Sequence, residues 1–247
     1  MKTWRANTSY TRHGDTYPTH GLGPLCQLLS IHRGDRLKYL VCVETGSINA
    51  KAAYAINHDG DIPEPWRSAD QTSTLIVTEN KATILLDHCT RLPRPYDRAY
   101  KVCGTKAYAC KYPVPMYSIP EEFVPDKAFI PEGNNGHVVN FMGEDEVARI
   151  QAFFPSRLLT KDLEDIAKKV GGHGGMDYLM DYRLIYCLRH GLPLDLDVYD
   201  LAEWSCISPL TALSLDNNSC PVEIPDFTRG FQDVVKGYQF AFAEGDR

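Results

Sequence analysis

A phenol and an imidazole stand three positions apart, at Tyr17 and His20, in the stretch Asp15-Thr16-Tyr17-Pro18-Thr19-His20-Gly21-Leu22-Gly23-Pro24. Unperturbed, such groups titrate near ~10 and ~6.5, so together they can give and take a proton close to neutrality. Proline fixes one backbone angle, and glycine admits a sharp turn or a close ligand. Helix-forming residues follow from Leu25 to Leu29, and Pro24 suits a first helical turn, where its missing N–H costs nothing. The reading is a stiff connection ending at a helix N-terminus, whose partial positive charge favours anionic groups. The alternative is a pair of structural polar aromatics.

Three further places carry chemistry-bearing side chains, each with a plainer reading beside it. Arg5, next to Trp4, is either a solvated charge or a planar fork of donors for a ligand's hydroxyls. Tyr96 follows Pro93-Arg94-Pro95, which holds it on an extended segment; it is either a presented contact or an ordinary strand-edge tyrosine. His173 sits among Gly171, Gly172, Gly174 and Gly175, so it is either a site residue or part of a loop that opens a helix. Asp177 complements that helix start, and Tyr178 reads as core. His13, His32, His58, His137 and His190 are scattered without metal-ligand spacing. Arg33-Gly34-Asp35 is set aside as a common match in a bland turn, Asp59-Gly60-Asp61 as too short for a calcium loop, and the sequons at Asn7 and Asn217 as relevant only in a secretory host.

The elements that must position these groups can be read from periodicity. Leu37–Thr45, Thr72–Val77 and Ala82–His88 read as strands, the last two joined at Glu79-Asn80 as a hairpin. Tyr100–Cys103 and Ala107–Tyr112 flank a tight turn at Gly104-Thr105-Lys106. Residues 113–140, rich in proline, read as a long surface excursion. Helices are predicted at Glu144–Ala152, Thr160–Val170, Met176–His190 and Asp197–Leu215, the last interrupted at Pro209, and Pro221–Ile224 returns as a strand. Short strands followed by packed helices predict an α+β class within a single domain over 1–247.

Composition bounds the rest. At 247 residues, 43% hydrophobic and 23% charged, the chain can bury a full core. A net charge of −6 argues against a nucleic-acid binder. No apolar run reaches the ~18 residues of a membrane span, and no signal peptide is visible at Met1-Lys2-Thr3-Trp4, so the compartment stays open between cytoplasm and periplasm. The eight cysteines form no C-x-x-C pair; Cys26, Cys42, Cys187 and Cys206 lie in apolar runs and read as buried thiols. No dinucleotide fingerprint is present, since Gly21-Leu22-Gly23 lacks the third glycine and follows no hydrophobic strand.

The wording of the chain then adds a resemblance. GDTYPTHGLGP at Gly14–Pro24, IHRGDR at Ile31–Arg36, HGGMDYLMDYRLIYCLRHGLPLDLDVYDLAEWS at His173–Ser205 and PVEIPDFTRG at Pro221–Gly230 resemble glycoside hydrolase family 109. Those are NAD-dependent α-N-acetylgalactosaminidases of the Gfo/Idh/MocA oxidoreductase superfamily. The likeness runs from about Trp4 to Gly230 and covers the family's substrate-facing C-terminal domain, with the Rossmann domain absent from this chain. The resemblance implies an open, mostly antiparallel sheet with helices on one face, a free face suited to a homo-oligomer, and a carbohydrate ligand. It implies substrate contacts at Arg5, Tyr17, Pro18, Thr19, His20, Tyr96 and His173, with Tyr17 and His20 catalytic. The implied reaction is redox glycoside cleavage, in which NAD is held mainly by a domain outside this chain and paired acidic residues are not required. His88-Cys89 departs from the family wording. The alternatives are a non-catalytic sugar-binding or assembly module, and a sugar oxidoreductase without hydrolysis.

Overall fold

Alternation of apolar and polar side chains along three strands builds the main sheet. In the computed structural model, which describes residues 8–124, 140–154, 161–231 and 240–243, β1 (Leu37–Glu44), β2 (Gln71–Thr78), β3 (Thr83–Cys89) and β7 (Val222–Glu223) pair antiparallel in the order β3-β2-β1-β7. Thr72, Thr74, Ile76 and Thr78 of β2 face inward with Ile84 and Leu86 of β3. On β1 a register irregularity between Leu37 and Tyr39 lets both Leu37 and Leu40 reach the core. Strict alternation would send two residues of opposite parity to opposite faces.

Two helices cover the inner face. They are α1 (Thr19–Leu28) and α6 (Val198–Asp216). Leu22 and Cys26 of α1, Ile207 of α6 and Leu37, Leu40, Ile76, Ile84 and Leu86 of the sheet form one cluster, with Trp204 and Leu210 packed against it. Among the described residues the other face stays open: Val41 lies opposite Leu75, and Leu75 opposite Leu85, with Leu85 67% exposed. This is the α+β arrangement expected, with helices on one side of an antiparallel sheet.

The described residues group into two compact units, one drawn from Met1–Arg94 and Arg183–Arg247, the other from Pro95–Tyr182. The second holds a small antiparallel sheet of β4 (Lys101–Cys103), β5 (Tyr108–Cys110) and β6 (Met116–Ser118), then α3 (Glu144–Phe153) and α4 (Lys161–Val170). Its core is Ile119, Met142 and Ile150, with Tyr117, Val124 and Val147 against them. Of the expected excursion over 113–140, the start is β6 and a 3₁₀ turn at Glu121–Phe123; residues 125–139 lie outside the described ones. Helix α5 (Met176–His190) matches its expected bounds.

Three local expectations need correction. Helix α1 begins at Thr19, five residues before Pro24, because Gly21 and Leu22 already donate to the Pro18 carbonyl at 3.1 and 2.9 Å. Helix α6 runs unbroken through Pro209. An interior proline costs about 3 kcal/mol in a helix, and burial of Ile207 and Thr211 against the sheet offsets it. Helix α2 (Ile48–Ile56) has no expected counterpart; its first turn is held by Asp70, whose carboxylate accepts from the Asn49 and Ala50 N–H groups at 2.9 and 2.7 Å. Among the described residues no helix is long and apolar enough to cross a membrane, and all eight cysteines are free thiols.

Helix α6 also completes the backbone bonding of β1. Strand β7 pairs only with Tyr39 and Leu40. Beyond it, the Leu37 N–H donates to Glu203 Oε1 at 3.2 Å and the Cys42 N–H to Ser214 Oγ at 3.0 Å. Glu203 is buried and also contacts His32 Nε2, whose ring nitrogen lies 3.1 Å from the Tyr199 carbonyl. Arg33 binds Asp200 through both Nη atoms at 3.0 and 2.8 Å. Burial pushes the His32 imidazole down, but the Glu203 carboxylate, Asp200 and the Tyr199 carbonyl together outweigh it, and its pKa is raised.

His32 therefore holds its proton more firmly folded than unfolded. Its contribution to stability is complete below about pH 6.5 and is lost as the pH rises through the raised folded value. Urea midpoints of the protein should fall over that window, and His32→Asn should flatten the fall. Glu203→Leu, which strips a partner from a buried pair, should cost about 3 kcal/mol below that window, where His32 is charged, and less above it.

Candidate functional site

The Tyr17–His20 segment is held in place by a strap that crosses α6. Gly14 has φ +78°, and a Cβ there would come within 2.6 Å of Thr211 Oγ1 and 2.8 Å of the Ala212 nitrogen. The left-handed conformation and the close approach both require glycine. The next residue, Asp15, donates its N–H to Thr211 Oγ1 at 3.0 Å, and that hydroxyl donates onward to the Ser208 carbonyl at 2.8 Å. Asp15 Oδ1 accepts the Tyr17 N–H at 2.8 Å. This side-chain turn delivers the chain to Pro18, which caps α1.

From there Tyr17 and His20 project together. Their rings stack with centroids 4.8 Å apart and planes 22° off parallel. Both are exposed, Tyr17 to 58%, while Pro18 is buried and Thr19 half-buried. Stacking fixes the relative orientation of phenol and imidazole. His20 lies inside the first turn of α1, within the region of positive helix potential.

A second imidazole reaches the strap from below. His88 on β3 places Nδ1 3.5 Å from Asp15 Oδ1, a charge contact rather than a tight hydrogen bond. Asp15 is fully buried, and its Oδ2 has no hydrogen-bond partner. Burial pushes the Asp15 carboxyl up from its ordinary value, against the opposing pull of His88 and the Tyr17 N–H. Neither residue was a site candidate from sequence. The signal that could have found Asp15 is its spacing, since an Asp two residues before a tyrosine in a glycine-and-proline stretch reads as a side-chain turn.

The remaining candidates fall elsewhere. Arg5 lies outside the described residues. Tyr96 belongs to the second unit and is 74% exposed; its hydroxyl accepts from Arg98 Nε at 2.6 Å and its ring meets Tyr112 edge-on. His173, also in the second unit, is exposed and bonds Asp177 through Nδ1 at 2.9 to 3.0 Å. The neighbouring Gly175, at φ +98°, packs so closely that a Cβ would come within 2.7 Å of Ala167. The glycines around His173 thus include one that seats the turn on α4. The structure brings together Tyr17, Pro18, Thr19 and His20 in one unit, and places Tyr96 and His173 in the other.

Comparison with known proteins places this geometry. Residues 1–233 match the profile described as glycosyl hydrolase 109, C-terminal domain. The chain belongs to glycosyl hydrolase family 109. It is 49% identical to glycosyl hydrolase family 109 protein 1 of Bacteroides thetaiotaomicron over 98% of this chain and 51% of that protein. The values for the family 109 protein of Porphyromonas gingivalis are the same, 49%, 98% and 51%. For protein 1 of Phocaeicola vulgatus they are 45%, 98% and 50%. The chain spans about half the length of the curated relatives it matches.

The family 109 motif contains glycines that could suggest a phosphate cradle, and their surroundings argue otherwise. A Cβ on Gly21 would come within 2.4 Å of the Leu86 side chain, and one on Gly23 within 3.1 Å of the Trp204 ring. These glycines admit neighbouring side chains to the core, so they do not fit a dinucleotide. Among the described residues no group of three or more His, Cys, Asp or Glu is arranged to hold a metal.

Replacing Gly14 by alanine should cost roughly 1–3 kcal/mol through strain and overlap with Thr211. The melting temperature should drop, and Tyr17 should become more accessible to a phenol-directed reagent, because the strap can no longer seat on α6.

Proposed function

We propose that this chain is the substrate-side part of an NAD-dependent family 109 glycosidase that hydrolyses α-linked N-acetylgalactosamine. The observation that carries the reading is the stacked Tyr17–His20 couple, exposed on the strap inside one of the stretches that resemble the family. A sugar offers hydroxyls to such a couple and an apolar ring face to its aromatic surface. When bound, the dinucleotide supplies removal and return of a hydride at the sugar's C3. The Gly21–Gly23 stretch does not fit it, and in this proposal a Rossmann domain outside this chain holds it.

The roles left to this chain are orientation and proton handling. Tyr17 and His20 bind ring hydroxyls and move protons at the sugar's C2 and at the departing oxygen, with Pro18 and Thr19 setting their spacing. The open sheet face, with Val41, Leu75 and Leu85 side by side, is proposed to bury itself against a second copy.

The test is turnover of a chromogenic α-N-acetylgalactosaminide, with and without NAD⁺, by this chain and by the product of the whole reading frame that encodes it. Activity is expected in the longer product with NAD⁺. Tyr17→Phe and His20→Ala there should each lower kcat/KM by about 10²- to 10⁴-fold. Hexosamine binding without turnover in any form would instead support a non-catalytic sugar-binding module, and absence of binding would overturn both. Separately, Leu85→Glu should convert a dimer to a monomer in sedimentation while leaving the melting temperature nearly unchanged.

A further inference from the structure

Asp15 is the least expected charged group in the molecule. It is fully buried, yet α6 offers it no cation, only the Thr211 hydroxyl, which takes its backbone N–H. Its Oδ1 accepts the Tyr17 N–H at 2.8 Å and stands 3.5 Å from His88 Nδ1, while Oδ2 has no hydrogen-bond partner. A carboxylate with one bare buried oxygen is costly as an isolated charge. The nearby imidazole relieves that cost when it carries a proton.

We propose that Asp15 and His88 form a positioning pair that holds the Tyr17–His20 couple in its presented geometry while the two share one proton. The carboxylate oxygen that faces His88 is the same oxygen that fixes the Tyr17 amide. With one proton in the pair, Asp15 Oδ1 is a strong, charge-balanced acceptor, and the turn into α1 is tight. Loss of that proton leaves an unbalanced buried carboxylate. Gain of a second makes Asp15 neutral and a weaker acceptor. Presentation of the couple should therefore be best at intermediate pH and loosen on either side.

Among the described residues, other titratable groups stand near the pair. Cys42 on β1 faces Asp15, and burial pushes its thiol up, with Glu44 and Asp15 adding to the shift. Opposite His88 on β2 lies Thr72, an uncharged hydroxyl. His13, two residues upstream, is engaged with Glu44 at 3.6 Å and Asp216 at 3.2 Å, and Arg67 also binds Asp216. The upward push that burial gives the Asp15 carboxyl accords with proton sharing but is not needed for the geometric argument.

The test follows the Tyr17 amide and the His88 ring by nuclear magnetic resonance between about pH 5 and about pH 9, the range in which an imidazole changes charge. In the unaltered chain the amide shift should report the titration seen at the His88 ring. Asp15→Asn keeps an acceptor for the Tyr17 N–H and removes the charge; it should uncouple the amide from the His88 ring. His88→Gln should leave the fold intact and the amide without that titration, and it serves if Asp15→Asn does not fold. A pH-independent amide in the unaltered chain, or a titration that survives His88→Gln, would overturn the proposal.

A second arm rests on the proposed sugar site. Calorimetry with N-acetylgalactosamine should show affinity that follows the amide's pH profile, and Asp15→Asn should weaken it about five- to tenfold and flatten the profile. If the sugar does not bind at all, the functional reading fails while the amide titration still decides the pair. If it binds with an affinity that ignores both variants and pH, the positioning role fails while the sugar site stands.

Discussion

The first unit depends on one helix presenting polar groups to backbone N–H groups of β1 and of the strap that follows Gly14. Glu203, Ile207, Thr211 and Ser214 recur at helical spacing along α6, and all four are buried. Only Ile207 contributes in the ordinary apolar way. The other three meet backbone N–H groups of Leu37, Asp15 and Cys42. A buried donor left unpaired costs about 1–3 kcal/mol, so the three contacts fix where the helix can lie on the sheet. A purely apolar seam would tolerate sliding by a turn with modest loss. Oriented bonds do not.

The same helix thereby sets the candidate site. Thr211 is the point where the strap bearing Asp15, Tyr17 and His20 is fastened, and Trp204 packs against Gly23 of the helix that follows. The couple's exposure to ligand and its rigidity come from one arrangement. The side chains face outward because the backbone between them is tied down beneath. That division suits a site whose chemistry needs two groups in a fixed relation. It also explains why the cost of holding a buried aspartate is retained, since the aspartate is the link between anchored backbone and presented side chain.

The polar cluster at the other end of α6 has a different character. Arg33 and Asp200 form a two-point pair, Asp197 caps the helix through the Tyr199 and Asp200 N–H groups, and His32 meets Glu203. These contacts tie the turn between α1 and β1 to the start of α6. Pairs of this kind fix geometry more than they add net stability, because desolvation of each ion offsets most of the attraction. The two ends of α6 thus constrain α1 from both sides.

Sequence alone determined the strands of the main sheet, whose alternation needs only near neighbours in the chain, but it missed β6 in the proline-rich stretch. It determined α5 and nearly all of α6 by period, and it marked Tyr17 and His20 as a pair by type and spacing. It did not locate α2, because the carboxylate that caps that helix comes from Asp70, remote in sequence from the first turn it holds. It placed a break at Pro209 that burial overrides. The start of α1 and the roles of Asp15 and His88 were decided only by the tertiary structure. His88 acts on Tyr17 through an aspartate that a helix from the far end of the chain has fastened. A contact that requires three separate segments to meet leaves no local pattern, since periodicity and spacing record only what neighbouring residues impose on one another.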